Sequence, residues 1–286
     1  MPATEAAPKL AKRLMPDGDY QVSNDALAHP PELRRRLVQD GYLFLRGVLD
    51  MEKMMEVRRD ILRLCQEHGW LDASAPLMDG IYSGIPFPDY TTQYMPLYRK
   101  LLKLESFNSF SRSTELIGLF ETLLESKILA HPRNIARITF PRHYDFTTQP
   151  HQDFHYIRGT PETYTTWIPV GDTPRELGGL ALLEGSHKLG FLAHKPAIGA
   201  GGNGVDPDEL GLKQRWLSID YRAGDAVLFH SHTIHGALDN HHPRRLRISL
   251  DYRYQRAGDN VDPSSLRPHY APAENTAAPA GETQKG

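Results

Sequence analysis

Residues 147–156 read Thr-Thr-Gln-Pro-His-Gln-Asp-Phe-His-Tyr, and the spacing of His151 and Asp153 decides how the whole chain is interpreted. Successive side chains of an extended strand point to opposite faces, so His-x-Asp on a strand directs one imidazole and one carboxylate to the same side. We therefore predict a strand over residues 147–155 that presents two metal ligands. By itself the pair is weak evidence, because a surface histidine beside a turn aspartate has the same spacing.

A distant histidine-rich segment can supply the third ligand. The apolar run 226–229 predicts a strand, and it leads directly into His230-Ser-His232-Thr-Ile-His235-Gly. Two imidazoles and one carboxylate on one face of a metal leave other coordination positions open, which suits non-haem iron(II). Farther on, Arg247 and Ser249 alternate with apolar residues, so they share one face of a predicted strand. The guanidinium of an arginine can bind a carboxylate there through two parallel hydrogen bonds.

Composition excludes several other classes of protein. The chain has 286 residues, 40% of them hydrophobic and 24% charged, which suits one globular domain. A net charge of −2 offers no electrostatic case for binding nucleic acid. A single cysteine, Cys65, excludes an intramolecular disulfide and a cysteine-rich zinc site. The chain has no apolar run of membrane-spanning length and no signal-peptide core near Met1, so we expect a cytoplasmic protein without a membrane partner.

Composition and residue pattern change along the chain and divide it into predicted segments. We predict a mobile arm over residues 1–20, a single domain over 21–256 and a disordered tail over 257–286, where Pro, Ala, Gly and charge accumulate. Within the domain, residues 30–125 are predicted to be largely helical, with helices at 30–40, 51–68, 97–104 and 115–124. Residues from about 134 to 256 carry short strands separated by Gly, Pro and Asp. A glycine-rich insertion at 194–213 is a candidate lid.

The motifs between His151 and Tyr254 resemble those of the phytanoyl-CoA dioxygenase family. The matching pieces occur in the family's order over about 100 residues: His-Gln-Asp at 151–153, Thr-Trp-Ile-Pro at 166–169, Gly-Gly-Leu at 178–180, Glu-Gly-Ser-His at 184–187, Gly-Asp at 224–225, His-Gly at 235–236 with Asn240, and Arg-Ile-Ser at 247–249. The resemblance implies a mainly β fold with flanking helices, in which N-terminal helices support a double-stranded β-helix, or jelly roll.

The resemblance also implies roles for individual residues. His151, Asp153 and His235 would bind Fe(II), and Arg247, helped by Ser249, would anchor the distal carboxylate of the co-substrate 2-oxoglutarate. Gln152 and Trp167 correspond to positions that line the co-substrate pocket, although ordinary strand packing explains them equally well.

Two of these assignments have competitors in the sequence. We choose His235 over His230 and His232 because Gly236 follows it and Asn240 lies five residues on, as in the family. The turn after Asn240 is one residue longer than the family pattern, so Arg244 and Arg245 compete with Arg247. We choose Arg247 because it begins the Arg-x-Ser strand pattern.

The implied activity is an Fe(II)- and 2-oxoglutarate-dependent dioxygenase that uses O2 to hydroxylate or otherwise oxidise a small molecule, with release of succinate and CO2. Related halogenases have a small residue in place of the carboxylate, whereas this chain has Asp153, which favours hydroxylation, desaturation or cyclisation. Two alternatives remain: a Zn-dependent hydrolase with the same three ligands, and a non-catalytic barrel that binds a small molecule. The sequence names neither the substrate nor the oligomeric state.

Overall fold

The computed structural model describes residues 13–86 and 90–270, and most of its helices precede its sheets along the chain. The α-helices are α1 (Pro30–Asp40), α2 (Met51–Glu67), α3 (Met95–Leu101), α4 (Glu105–Phe110), α5 (Thr114–Leu124) and α6 (Phe154–Ile157). The four predicted helices are confirmed as α1, α2, α3 and α5, with ends shifted by at most three residues. The short helices α4 and α6 were not predicted. None of the described helices is long and apolar enough to span a membrane.

Local sequence signals explain where the long helices begin and end. Pro30 occupies the first turn of α1, where its missing N–H costs nothing. Gly41 ends α1 at φ +77°, a left-handed conformation that favours glycine. The Asp50 carboxylate accepts hydrogen bonds from the N–H groups of Glu52 and Lys53 and so caps α2. These caps orient the helices whose apolar faces pack on the outside of the larger sheet.

The strands form two antiparallel sheets and a small hairpin. They are β1 (Tyr42–Leu45), β2 (Ile128–Ala130), β3 (Ile135–Thr139), β4 (Tyr164–Pro169), β5 (Leu180–Leu183), β6 (Lys195–Pro196), β7 (Asn203–Gly204), β8 (Trp216–Leu217), β9 (Ala226–His230), β10 (His235–Ala237) and β11 (Arg247–Arg256). The larger sheet has the order β1-β9-β4-β11-β2, with β3 also paired to β11; the smaller has the order β10-β5-β8. Their facing sides share one apolar cluster, which includes Trp167, Val227 and Phe229 from the larger sheet and Leu180 and Leu182 from the smaller.

Strand β11 sorts its side chains strictly by face. Its apolar residues Leu250, Tyr252 and Tyr254 join the core that packs against the helices, where the Tyr254 ring stacks on Phe120 at 4.2 Å. The alternate residues Arg247, Ser249, Asp251 and Arg253 are also buried, and they point to the interior between the sheets. The predicted alternation from Arg247 is therefore present, and it continues beyond Ser249 through Asp251, Arg253 and Gln255.

Both chain ends depart from the prediction of a mobile arm and a disordered tail. Residues 13–20 pack on the body of the protein: Gly18 bridges Leu217, and Tyr20 is buried among aromatic rings. Residues 257–270 also pack there, since the Ser265 hydroxyl donates to the Ile157 carbonyl at 2.8 Å. Composition misled the prediction because a few buried side chains are enough to hold a polar segment in place. Residues 1–12 and 271–286 lie outside the described residues.

Candidate metal centre

Three predicted ligands come together in the interior of the β half. One donor atom from each of His151, Asp153 and His235 can be chosen so that all three lie within 4.8 Å of one another. The Asp153 Oδ1 atom is 3.6 Å from His151 Nε2 and 3.8 Å from His235 Nε2. All three residues are buried. No other group of three such side chains with this spacing is found in the described part of the chain.

Backbone pairing brings the two histidines together. His151 and His235 form an isolated antiparallel bridge in which each N–H donates to the other's carbonyl at 2.9 Å. Asp153 arrives differently from the prediction. It has helical dihedral angles (φ −60°, ψ −30°) and immediately precedes α6. The predicted strand over 147–155 is therefore wrong: the segment has only the isolated bridge at His151, and the chain turns after it. This turn, rather than strand alternation, brings the carboxylate to the imidazoles.

The tautomer of each histidine leaves the correct nitrogen available for a metal. His151 Nδ1 lies 2.8 Å from the Gln149 carbonyl, and His235 Nδ1 lies 3.0 Å from the Thr233 carbonyl. A carbonyl can only accept, so Nδ1 carries a proton in both rings and Nε2 is the nitrogen that faces the other candidate ligands. Backbone partners of this kind orient imidazoles that bind metals. Burial, followed by the nearby His151, lowers the pKa of His235 to about 3, so its ring is neutral near pH 7.

The Asp153 carboxylate is held by an arginine and a threonine. The Arg253 guanidinium donates to both oxygens, from Nη2 to Oδ1 at 3.0 Å and from Nε to Oδ2 at 3.2 Å, and the Thr165 hydroxyl donates to Oδ2. Burial raises the pKa of Asp153, but the charge of Arg253 outweighs it, so the pKa lies well below its usual range. The carboxylate is therefore ionised, as a metal ligand must be.

His230 and His232 lie outside this cluster. His230 is near Glu162, with 3.6 Å between Nε2 and Oε1, and His232 packs edge-on against Phe154. Their neighbourhood is a separate aromatic region beyond the end of β9. The choice of His235 from the sequence thus agrees with the grouping of the side chains.

Arg247 is buried and shares a small cavity with the two histidines. Its Nε donates to the Gly178 carbonyl at 2.6 Å and its Nη1 donates to the Ser249 hydroxyl at 2.6 Å. No carboxylate among the described residues forms an ion pair with it. Burial, followed by the charge of Arg137, lowers the pKa of Arg247 to about 10. A buried cation is costly unless it is paired, so this arrangement calls for an anion.

A small cavity of about 20 Å³ connects Arg247 with the histidines. Trp167, Gly179 and Phe229 are among its other lining residues. Trp167 thus lies where the family resemblance implied, and Ser249 directly contacts the arginine. Gly178 positions its carbonyl with φ +80°, and a Cβ added there would lie 2.5 Å from the Leu238 carbonyl oxygen, so the approach requires glycine.

The competing arginines point away from this cavity. Arg244 is exposed and pairs with Asp72, and Arg245 does not line the cavity. The lengthened turn is stabilised by His242, whose Nδ1 accepts from the N–H groups of both arginines at 3.1 and 2.9 Å. Asn240 closes the turn by donating to the Arg245 carbonyl at 2.8 Å. The extra residue is therefore accommodated before β11 begins at Arg247.

Gln152, which the family resemblance assigned to the co-substrate pocket, lies beside a loop in the structure. Its amide nitrogen donates to the carbonyls of Gly190 and His232 at 2.8 and 2.7 Å, and its amide oxygen accepts from the Leu192 N–H at 2.7 Å. Gln152 lines neither cavity beside the histidines. The Gln152 side chain points away from those of His151 and Asp153, and its amide binds the loop that contains Gly190 and Leu192.

A larger cavity of about 290 Å³ opens over the other side of His151 and Asp153. Tyr90 and Tyr94 line it, whereas Tyr82 packs on Phe140 instead. Ala200 and Gly201, from the insertion 194–213, also line the cavity, so its role as a lid stays a prediction.

Sequence reasoning missed several charged residues around the two cavities. Arg253 holds Asp153, and Arg137 pairs with Asp251 at 2.8 Å while lining both cavities. Arg133 lines the larger cavity. The period-two polar pattern of 247–255, Arg-x-Ser-x-Asp-x-Arg-x-Gln, was a usable signal for Asp251 and Arg253. No comparable pattern marks Arg133.

The chain has curated relatives at low identity over most of its length. It is 28% identical over 270 residues to a 1-deoxypentalenic acid 11-beta-hydroxylase of Streptomyces arenae, covering 87% of this chain and 89% of the relative. The corresponding hydroxylase of Streptomyces exfoliatus is 26% identical, with the same coverage.

Solved structures share the fold. The epimerase SnoN, in complex with Fe3+, alpha ketoglutarate and nogalamycin RO, has a TM-score of 0.58 at 20% identity over 83% of this chain and 87% of its own. EctD from S. alaskensis, with 2-oxoglutarate and 5-hydroxyectoine, has a TM-score of 0.56 at 16% identity over 94% of each chain. These likenesses confirm the predicted fold class, a mainly antiparallel β core of jelly-roll type with flanking helices.

The decisive comparison is with a family model. The model described as phytanoyl-CoA dioxygenase (PhyH) matches residues 37–248, a span that includes all three clustered side chains and Arg247. The chain therefore belongs to the phytanoyl-CoA dioxygenase family, as its motifs predicted.

Proposed function

We propose that this protein is an Fe(II)- and 2-oxoglutarate-dependent dioxygenase that hydroxylates a small organic molecule. One observation carries the proposal: two imidazoles and one ionised carboxylate converge in a buried site, and a buried arginine that pairs with no described carboxylate lies across a small cavity from them. Family membership and the names of the hydroxylase relatives support the same reaction class.

The donor set fits iron. His151 and His235 would each offer Nε2, and Asp153 would offer Oδ1, which leaves the remaining positions of the metal open. When bound, iron supplies the activation of O2 and the oxidation of the substrate, coupled to conversion of 2-oxoglutarate to succinate and CO2. The protein holds the three donors in place through the Gln149 and Thr233 carbonyls and through Arg253.

Arg247 would bind the distal carboxylate of 2-oxoglutarate. Two of its nitrogens are already fixed by the Gly178 carbonyl and the Ser249 hydroxyl, so the guanidinium is oriented before any ligand arrives. Trp167 and Phe229 provide apolar walls that exclude water and strengthen the charge pair. The substrate would then enter the larger cavity on the other side of His151 and Asp153.

The test is the turnover of 2-oxoglutarate by purified protein supplied with Fe(II), ascorbate and O2. Succinate formation and oxygen uptake are measured, and oxidised products are sought by mass spectrometry across candidate small molecules. Asp153→Ala should abolish turnover with little change in the circular dichroism spectrum, because the carboxylate serves the metal rather than packing. Asp145→Ala, which removes an exposed carboxylate eight residues away, is the matched control and should keep full activity.

Other outcomes would support the alternatives. Zinc at one equivalent in the purified protein, with hydrolysis and no succinate, would identify a hydrolase. Tight 2-oxoglutarate binding without oxygen uptake under any condition would identify a binding barrel. Full activity of Asp153→Ala without added anion would contradict the ligand assignment itself.

A further inference from the structure

The larger cavity has apolar walls and an uneven distribution of charge. Aromatic and aliphatic side chains form most of its surface, among them Tyr94, Tyr98, Ile138, Phe140 and Phe146. Its volume of about 290 Å³ lies at the small end of the roughly 300–1,000 Å³ typical of ligand pockets. Such a space suits a compact apolar molecule.

Of the three arginines in this cavity, two already have carboxylate partners. Arg137 is paired with Asp251, and Arg253 is paired with Asp153. Arg133 has no ion pair with any described residue, and its guanidinium donates only to the Ser264 carbonyl, at 3.3 Å. Burial, followed by the charge of Arg253, lowers the pKa of Arg133. Arg133 is therefore the one arginine among the described lining residues that has no carboxylate partner.

Two histidines outside the candidate metal centre compete only weakly with Arg133 for an anion. His143 lines the cavity, and burial lowers the pKa of His143. The imidazole of His269 also lines it, but burial, followed by the charge of Arg133, lowers the pKa of His269 to about 3, and its Nδ1 lies 3.0 Å from the Tyr98 hydroxyl. His269 is thus neutral near pH 7 and already has a partner. Arg133 is left as the only available full positive charge among the described lining residues.

The backbone at Arg133 is tied to the candidate metal centre. Arg253 Nη1 donates to the Arg133 carbonyl at 3.5 Å, while Nη2 of the same guanidinium donates to Asp153 Oδ1 at 3.0 Å. One side chain therefore bridges the segment that carries Arg133 and a candidate iron ligand. An anion on Arg133 would be held at a defined position relative to the metal, and the apolar remainder of the molecule would lie along the cavity.

We propose that Arg133 binds the carboxylate of a compact, otherwise apolar substrate and thereby orients it for oxidation. The inference rests on the proposed function, since it assigns the cavity above the metal centre to the substrate. It predicts that the protein distinguishes a carboxylic acid from a neutral alcohol with the same hydrocarbon skeleton.

The probes are adamantane-1-carboxylate and adamantane-1-methanol, which share one rigid skeleton and differ in charge. Their binding is measured by calorimetry under anaerobic conditions, with and without Fe(II) and 2-oxoglutarate. The variants are Arg133→Met and, as a matched control, Arg112→Met, which removes an exposed arginine that does not line the cavity. Arg133→Gln serves if the methionine variant fails to fold by circular dichroism.

We expect the wild-type protein and Arg112→Met to bind the acid more tightly than the alcohol. Arg133→Met should weaken binding of the acid by about tenfold or more, since it removes charge-assisted hydrogen bonds, and should leave binding of the alcohol unchanged. Equal binding of acid and alcohol, equal losses in the two variants, or no binding of either probe would overturn the inference. Failure of the wild-type protein to bind Fe(II) and 2-oxoglutarate in the same titrations would instead count against the proposed function, and the probe comparison without metal would still test Arg133.

Discussion

Replacing Arg253 with methionine tests whether the arginine serves the Asp153 carboxylate. The two side chains are each about 2% exposed and share two hydrogen bonds of 3.0 and 3.2 Å. Removing one partner of a buried ion pair costs about 3–5 kcal/mol, because the other charge is left without compensation. In a chain of this size, 1 kcal/mol corresponds to roughly 2–4 °C, so Tm of the metal-free protein should fall by roughly 6–20 °C at pH 7.

Iron should restore part of this loss. A bound cation compensates the Asp153 carboxylate in the variant, so the deficit in Tm should shrink when Fe(II) is added anaerobically. Arg137→Met is the matched control: it breaks the buried pair with Asp251, which is not a candidate ligand, so its deficit should not respond to iron. Asp153→Asn combined with Arg253→Met should recover much of the stability in the absence of metal, because the amide removes the uncompensated charge.

The assay is thermal or urea unfolding of the wild-type protein and these variants, with and without Fe(II). Unfolding is measured at pH 7 because the contribution of the Asp153 carboxylate to stability is fully present there. The pKa of Asp153 is depressed in the folded state, so its contribution is fully present above its unfolded pKa of about 3.9 and is lost as pH falls through the lower folded value. A loss below about 1 kcal/mol for Arg253→Met, against the 3–5 expected for a buried pair, would refute the reasoning. So would an iron response no larger than that of Arg137→Met.

The remaining predictions concern the co-substrate, the second histidine and pH. Arg247→Ala should raise the apparent Kd for 2-oxoglutarate roughly 30-fold or more, since losing one side of a buried charge pair costs about 2–5 kcal/mol. Arg244→Ala should change this Kd little. A large increase in Arg244→Ala but not in Arg247→Ala would place the carboxylate-binding arginine elsewhere in the turn. His235→Ala should lose Fe(II) binding in a metal titration, whereas His232→Ala should keep it. Loss of Fe(II) binding in His232→Ala but not in His235→Ala would overturn the ligand assignment. Burial holds the pKa of His235 at about 3, below its unfolded value of about 6.5, so the metal-free protein should lose stability as pH falls from about 6.5 toward 3. Urea unfolding across that range should show a shallower dependence for His235→Ala, and an equal slope in both proteins would contradict a neutral buried ring.

Local pattern was enough to predict much of the fold. Helix caps such as Asp50 and the left-handed end at Gly41 act within one turn, and period-two alternation acts within one strand, so both can be read from neighbouring residues. Composition was a poorer guide, since it assigned residues 13–20 and 257–270 to mobile segments. A few long-range contacts, such as those of Tyr20 and Ser265, hold these segments, and composition carries no information about such contacts.

The sequence by itself determined which chemistry was available: His151, Asp153 and His235 as candidate ligands in a family order, and Arg247 at the start of an alternating strand. Only the tertiary structure decided how these groups meet. The register of one antiparallel bridge pairs His151 with His235, which are 84 positions apart in sequence. A helical turn, not a strand, directs Asp153 toward them while Gln152 turns away. The partners of the charges, including Arg253 on Asp153 and the unpaired Arg133, likewise depend on contacts between distant strands and loops. Such contacts are set by sheet register and packing, and no local periodicity records them.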